Sequence, residues 1–353
     1  MLNIQSQPLP KNSLNYKANP PFGSVHVPVT LWFDLKKTQG TPDKVHVEPL
    51  KDMAVSPFCS ALHYGQSIFE GMKAYHLENG EVGIFRPDLH AKRFSKSAAK
   101  MAMAEFSPEL FMESIVAYVK ACKEFVPKEP GHSLYLRPLL IGNDPVIKVK
   151  TSDTYRFVIM SSIVGPYFNK NKRGSRVLIN KTFMRAFPGG TGEAKTSANY
   201  ALSLNALEYA ISKDFDQVLY VDAMKKEKIE ELGGMNFFMV KNNELHTPKL
   251  DGQILHGVTR KSIIEIAQKM GITCHERDLL LEELKGPNVS EIFASGTAAS
   301  IAPLAEIGVQ DSMAHEIDIY KFGNHDLAMK LLNYLTDTQV GKTEMSKEWL
   351  HTL

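Results

Sequence analysis

The stretch Phe187-Pro-Gly-Gly-Thr-Gly-Glu-Ala-Lys195-Thr196 decides how this chain is read. A glycine-rich run ending in Lys-Thr nearly matches the phosphate-cradling loop G-x-x-x-x-G-K-[ST]. Gln217-Val-Leu-Tyr-Val-Asp222 could pass for the strand and acid that accompany such a loop. That reading makes a nucleotide triphosphatase. Two features oppose it: Ala194 stands where the last glycine lets backbone amides wrap around phosphate, and Lys181-Thr-Phe-Met-Arg-Ala-Phe-Pro188 is not a clean buried strand. The other reading is a lysine that forms an imine. Such a lysine must be held rigidly, kept partly dry and supplied with anchors for a cofactor.

Beside Lys195, pyridoxal phosphate would need a carboxylate for its pyridinium nitrogen, a donor for its ring oxygen, a phosphate cup and a place for the substrate carboxylate. Lys228-Ile-Glu230-Glu231-Leu-Gly-Gly-Met-Asn236 puts two acids on one strand. Successive side chains point to opposite faces, so only one can face a cofactor, and a solvated strand edge explains either. Tyr200, five residues after Lys195 on the following helix, offers the donor, and also reads as a core tyrosine. Leu255-His-Gly257-Val258-Thr259-Arg260 enters a helix whose free amides and positive dipole end suit a phosphate, with Gly257 permitting close approach. Ser295-Gly296-Thr297-Ala298-Ala299 is a second small-residue turn able to present amides to an anion. Arg93 shares a helix face with Lys96 and Lys100, opposite Phe94, Ala98 and Met101, and by itself reads as part of a solvated basic face.

The length of 353 residues suggests two domains at roughly 150 residues each. A net charge of +2 argues against a nucleic-acid partner, which needs a concentrated basic face. Three scattered cysteines and the lack of HExxH argue against a disulfide framework and a zinc site, so no metal is expected. The N-terminal stretch has no apolar signal region and no run approaches ~18 apolar residues, so the expected location is cytoplasmic and no membrane contact is expected. The first twenty-two residues read as a mobile arm or a strand lying on a partner.

Strands are expected at Val45–Val47, Val82–Phe85, Ser133–Ile141, Tyr155–Val164, Arg176–Asn180, Gln217–Val221, Ile229–Leu232 and Asn236–Val240. Helices are expected over Asp88–Met103, from Ser107-Pro108-Glu109 onward, over Ser197–Ile211 and over Thr259–Met270. Asn242-Asn243 reads as a hairpin turn. The mixture lacks strict βαβ alternation, which favours an α+β fold. The short basic stretch around 169–176 reads as a linker between domains at 1–168 and 177–353.

Taken together, LHYGQSIFEGMKAY (62–75), LYLRPLLIGND (134–144), GGTGEAKTSANY (189–200), EELGGMNFF (230–238), LDGQILHGVTR (250–260) and SGTAA (295–299) closely resemble the branched-chain amino acid aminotransferases, the fold type IV class of pyridoxal-phosphate enzymes. The likeness runs from about Trp32 to the C-terminus. It implies a smaller N-terminal α/β domain and a larger C-terminal β-pseudobarrel domain with helices.

The same resemblance assigns roles. Lys195 would form the imine, Glu231 would face the pyridine nitrogen, Tyr200 would bond the ring oxygen and Leu255 would pack on the ring. Arg93, Val258, Thr259 and Thr297 would hold the phosphate, with Gly257 beside them. The Ala298 amide would bind the substrate α-carboxylate. Phe69, Tyr135 and Tyr167 would wall the side-chain pocket, and Arg137 would receive the second carboxylate of glutamate. Tyr64, Ile147 and Val149 would reach the pocket of a second subunit, which implies a homodimer.

The implied activity is reversible ping-pong transamination of leucine, isoleucine and valine with 2-oxoglutarate. D-Amino acid aminotransferase and aminodeoxychorismate lyase share the lysine and acid logic. Tyr135-Leu-Arg137 with Phe69-Glu-Gly71 favours the branched-chain enzyme. Three departures stand out: Ala299 and Ala302 replace a redox CxxC of mammalian members, His256 replaces a common proline, and Gly234 replaces a threonine found in some members.

Overall fold

The computed structural model describes residues 2–166 and 174–353 as two compact units. Among these residues the first comprises 2–166, Ala194–Ala198 and Asp337–Leu353, and the second 174–193 and Asn199–Thr336. The partition thus returns to the first unit the short piece carrying Lys195 and the C-terminal tail, both of which the expected division placed beyond 177. Ser175, expected in the linker, already belongs to the strand Ser175–Asn180, which begins one residue before the strand expected at Arg176–Asn180.

The sheet of the first unit runs in the order Ile4–Ser6, Val45–Pro49, Val29–Lys36, Thr154–Val164, Ser133–Gly142, Met72–His76, Val82–Phe85 and Leu350–Thr352. Ser67–Phe69 adds to the edge of Ser133–Gly142, pairing Phe69 with Leu139. Helices Pro87–Lys100 and Pro108–Ala121 cover it, and Phe33, Phe94, Phe106, Phe111 and Phe157 form the centre of its core. Ser107 caps the second helix by accepting the Leu110 amide at 3.1 Å, and Pro108 takes the position where a missing N–H costs nothing. The N-terminal arm lies on its own chain: Ile4–Ser6 pairs in parallel with Val45–Val47, and Leu9, Leu14 and Tyr16 pack on the core.

In the second unit Ser175–Asn180, Gln217–Val221, Lys228–Leu232, Asn236–Lys241, Val289–Gly296 and Ser300–Gln310 pair in succession, and the last returns to the first. The ring closes through Glu231 opposite Asn236. Val177, Ile179, Leu219, Val221, Ile229, Phe237, Met239, Ile292, Ala294 and Leu304 form one buried cluster, the alternation that a strand with one face inward requires. Glu231 has the parity of Ile229, and Glu230 the other. Asn242 and Asn243, at φ 54° and 63°, make the tight turn into Glu244–Pro248. The strand Ser300–Gln310 escapes the sequence reading because Pro303 and Gly308 interrupt it; Pro303 still pairs opposite Phe293. Among the described residues no helix is long and apolar enough to cross a membrane.

Candidate active site

In the first unit the chain around Lys195 is fixed by its backbone. The Lys195 amide donates to Ser97 Oγ at 3.0 Å, and its carbonyl accepts the Phe69 amide at 3.0 Å. Thr196 is fully buried, bridges to Ile68 and donates its hydroxyl to the Ser67 carbonyl. It is therefore committed to packing and not to a metal–nucleotide complex. Gly192 abuts the Gln253 carbonyl, with a would-be Cβ 2.7 Å from Ala186 Cβ, so that glycine serves backbone packing. Asp222 accepts the amides of Lys225, Glu227 and Lys228, the work of a turn residue. These three assignments remove the nucleotide-loop reading.

Lys195 Nζ lies 4.8 Å from the centroid of the Phe69 ring, and Arg137 Cζ lies 4.6 Å from the same centroid. Arg137 Nη2 donates to Tyr135 Oη at 2.9 Å. Alternation along Ser133–Gly142 puts Tyr135 and Arg137 on one face. Gly71 is required here, because a Cβ would fall on Tyr135 Oη and within 2.9 Å of Cζ. Phe22 of the N-terminal arm packs edge-on against Tyr135 with centroids 4.9 Å apart. The sequence reading missed Phe22, since nothing in its spacing joins it to the strand. Tyr167 lies outside the described residues. Tyr64, Ile147 and Val149 are exposed large apolar residues.

Arg93 is 8% exposed, so the solvated-face reading fails. Its Nε and Nη2 donate to Glu70 Oε1 and Oε2 at 2.6 and 2.8 Å. His90, one turn earlier, lies at 2.7 Å from Glu70 Oε2.

In the second unit Glu231 accepts the Leu255 amide at 3.0 Å and Asn236 Nδ2 at 2.7 Å, and pairs with Arg185 Nη2 at 2.9 Å. Three donors on a buried acid are what a carboxylate, not a carboxylic acid, accommodates. Arg185 also donates to the Gln253 carbonyl and was not singled out from the sequence, where it is one arginine in an irregular stretch. Glu230 is its opposite. Both of its oxygens are buried without a hydrogen-bond partner among the described residues, and burial above all pushes its carboxyl up to about 8.

Asn236 also donates to the Leu255 carbonyl and so ties the acid to the chain that enters the helix Val258–Lys269. Gly257 precedes that helix without a side-chain cap, and a Cβ there would fall on Asn236 Oδ1. Val258 and Thr259 occupy the first turn, both buried. Thr297 and Ala298 lie in the turn between Val289–Gly296 and Ser300–Gln310, and the fully buried Ser295 Oγ beside it has no hydrogen-bond partner among the described residues. Uncapped amides and an orphan hydroxyl fit a phosphate ester. Tyr200 is half-buried on Ser197–Ser212, its Cε1 4.0 Å from where a Gly234 Cβ would stand. His256 Nε2 lies 3.9 Å from Glu193 Oε2. Ala299 and Ala302 are buried in the core of this unit.

Elsewhere Glu244, His246 and His275 bring ligand-type atoms within 4.8 Å of one another. Arg277 Nε donates to His246 Nδ1, and His275 Nε2 meets Glu244 Oε2, so these groups are engaged as cross-strand pairs.

The chain matches the family model for amino-transferase class IV over residues 67–307. It is 39% identical over 308 residues to branched-chain-amino-acid transaminase 1 of Bacillus subtilis, covering 86% of each chain. It is 36% identical to the chloroplastic branched-chain-amino-acid aminotransferase 2 of Arabidopsis thaliana, covering 86% of this chain and 77% of that one. Among solved structures, a T.th. branched-chain amino acid aminotransferase with pyridoxamine 5'-phosphate superposes with a TM-score of 0.74 at 25% identity, covering 91% of this chain and 97% of that one. The Escherichia coli enzyme gives 0.72 at 25% identity, covering 92% and 98%. The fold is therefore the two-domain α+β fold of these enzymes, and the chain belongs to the class IV aminotransferases, within them to the branched-chain-amino-acid aminotransferases.

Proposed function

We propose that this protein is a branched-chain-amino-acid aminotransferase that moves the amino group of leucine, isoleucine and valine to 2-oxoglutarate, with pyridoxal 5'-phosphate as cofactor. One observation carries the reading: the Lys195 amine and the Arg137 guanidinium share the Phe69 ring, with Tyr135 beside them. That places a nucleophilic amine, an apolar wall and a carboxylate receptor together. When bound, the cofactor supplies an electron sink for the substrate α-carbon.

The residues of the chain do the rest. Lys195 Nζ would take the proton from the substrate α-carbon as base and, as acid, hand it to the cofactor. Glu231 would keep a proton on the pyridine nitrogen, Tyr200 would donate to the ring oxygen and Leu255 would pack on the ring. Arg93, Gly257, Val258, Thr259 and Thr297 are the residues that would hold the phosphate, and the Ala298 amide would bind the α-carboxylate. Phe69 and Tyr135 form the side-chain wall.

An apolar wall separates chains that differ by one methylene by only ~1–3 kcal/mol, so all three branched substrates react. The exposed Tyr64, Ile147 and Val149 support a homodimer in which each copy completes the other's wall. The protein works in the cytoplasm.

The test is spectroscopic. The purified protein, loaded with pyridoxal phosphate, should change its visible absorption on adding leucine and recover it with 2-oxoglutarate. A spectrum indifferent to leucine would refute the function. Arg137→Ala should reduce kcat/KM for glutamate at least ~10-fold more than for leucine, because only glutamate brings a second carboxylate to a charge-assisted bond. Equal losses in steady-state assays would remove Arg137 from its role.

A further inference from the structure

Glu70 is fully buried and carries no role in the chemistry above, yet four donors converge on its carboxylate. Arg93 gives Nε and Nη2, His90 lies at 2.7 Å through Nδ1, and the Gly71 amide reaches Oε2 at 3.1 Å. Burial alone would raise the Glu70 carboxyl, but the adjacent Arg93 and His90 outweigh it and hold the acid ionised. Burial also lowers the His90 imidazole, and Arg93 and Lys195 add to this against Glu70. The triad is thus an ionised carboxylate, a guanidinium and a neutral imidazole that donates through Nδ1.

The setting ties this triad to the lysine. His90, Arg93 and Ser97 follow at helical spacing along one buried stripe of Pro87–Lys100, and Ser97 receives the Lys195 amide. Glu70 follows Phe69, whose amide is bonded to the Lys195 carbonyl, and its own amide donates to the Pro138 carbonyl at 2.9 Å. An arginine side chain has several rotamers, and a two-point carboxylate selects one.

We infer that Glu70, braced by His90, is a positioning residue that fixes the Arg93 guanidinium for the cofactor phosphate and holds it in register with the backbone of Lys195. The inference rests on the function proposed above. It differs from a simple buried ion pair in requiring an effect specific to the phosphate.

The experiment titrates apoprotein with pyridoxal phosphate and with pyridoxal, which lacks the phosphate, following the absorption of bound ligand. Thermal unfolding of the apoproteins is measured alongside. Glu70→Gln should weaken pyridoxal phosphate roughly 10- to 100-fold, the range seen when outer-shell partners of metal ligands are removed, and leave pyridoxal within about 2-fold. In an Arg93→Met background the same substitution should add nothing further, because its effect passes through Arg93. His90→Asn, milder for folding, should show the same selectivity at smaller size.

Equal weakening of both ligands, or an undiminished effect without Arg93, would make Glu70 merely structural and overturn the inference. If Glu70→Gln does not fold, His90→Asn decides on the same two ratios. Failure of the unsubstituted protein to bind pyridoxal phosphate more tightly than pyridoxal would instead overturn the proposed function.

Discussion

Lys195→Ala should abolish the amino-group transfer, with leucine no longer converting bound cofactor to its amine form and kcat falling at least ~10³-fold. The expectation is large because one side chain does two jobs: it is the nucleophile, and its amine carries the proton. The variant should nonetheless fold. The contacts that fix this segment run through the Lys195 backbone, to Ser97 Oγ and from the Phe69 amide, and survive loss of the side chain. What the side chain adds is its position over Phe69, which alanine vacates. Stopped-flow absorbance with leucine, on variant and parent loaded equally with cofactor, reads the half-reaction without product release. Spectral conversion at the parental rate would mean that another group moves the proton. Partial rescue by added small amines would support proton transfer as the missing step.

The fate of this lysine in the two readings shows what the sequence could carry. Glycines before a lysine are shared by a phosphate loop and by the chain observed here, and only Thr196 bonded to Ser67 and Gly192 against the Gln253 carbonyl separate them. Those partners lie far away in sequence. Local signals fared well where the cause is local: the Ser107 cap, the Asn242-Asn243 turn and the strand Gln217–Val221 all stand within a residue or two of expectation.

Arg93 went the other way. Helical periodicity groups it with Lys96 and Lys100, but Glu70 captures it from another strand connection, and no periodicity reports a partner twenty-three residues off. Arg185 and Phe22 were invisible for the same reason, since their roles are set by contacts with Glu231 and Tyr135. The motifs succeeded as a set because each preserves a piece of long-range geometry that single-residue rules do not encode.

The neighbouring acids Glu230 and Glu231 give the second large effect, through opposite environments on one strand. Glu231→Gln should lower kcat roughly 100-fold or more, because an amide cannot hold a proton on the pyridine nitrogen and also turns an N–H toward Arg185 or the Leu255 amide. Glu230→Gln should leave kcat at pH 7 within about 2-fold. Its carboxyl, pushed up to about 8 from 4.5 chiefly by burial, is already neutral there, and glutamine is its closest neutral match.

The sign of the stability effect follows. A carboxyl that holds its proton more tightly folded than unfolded contributes stability that is full below about pH 4.5 and is lost as pH rises through about 8. Glu230→Gln removes that loss, so its melting temperature should gain on the parent between pH 5 and about pH 8 and level off above. Equal kinetic damage from the two substitutions would show that the strand presents the wrong acid to the cofactor. A melting-temperature difference flat across that range would show that Glu230 is ionised in the folded protein, with a partner or water that its buried oxygens lack here.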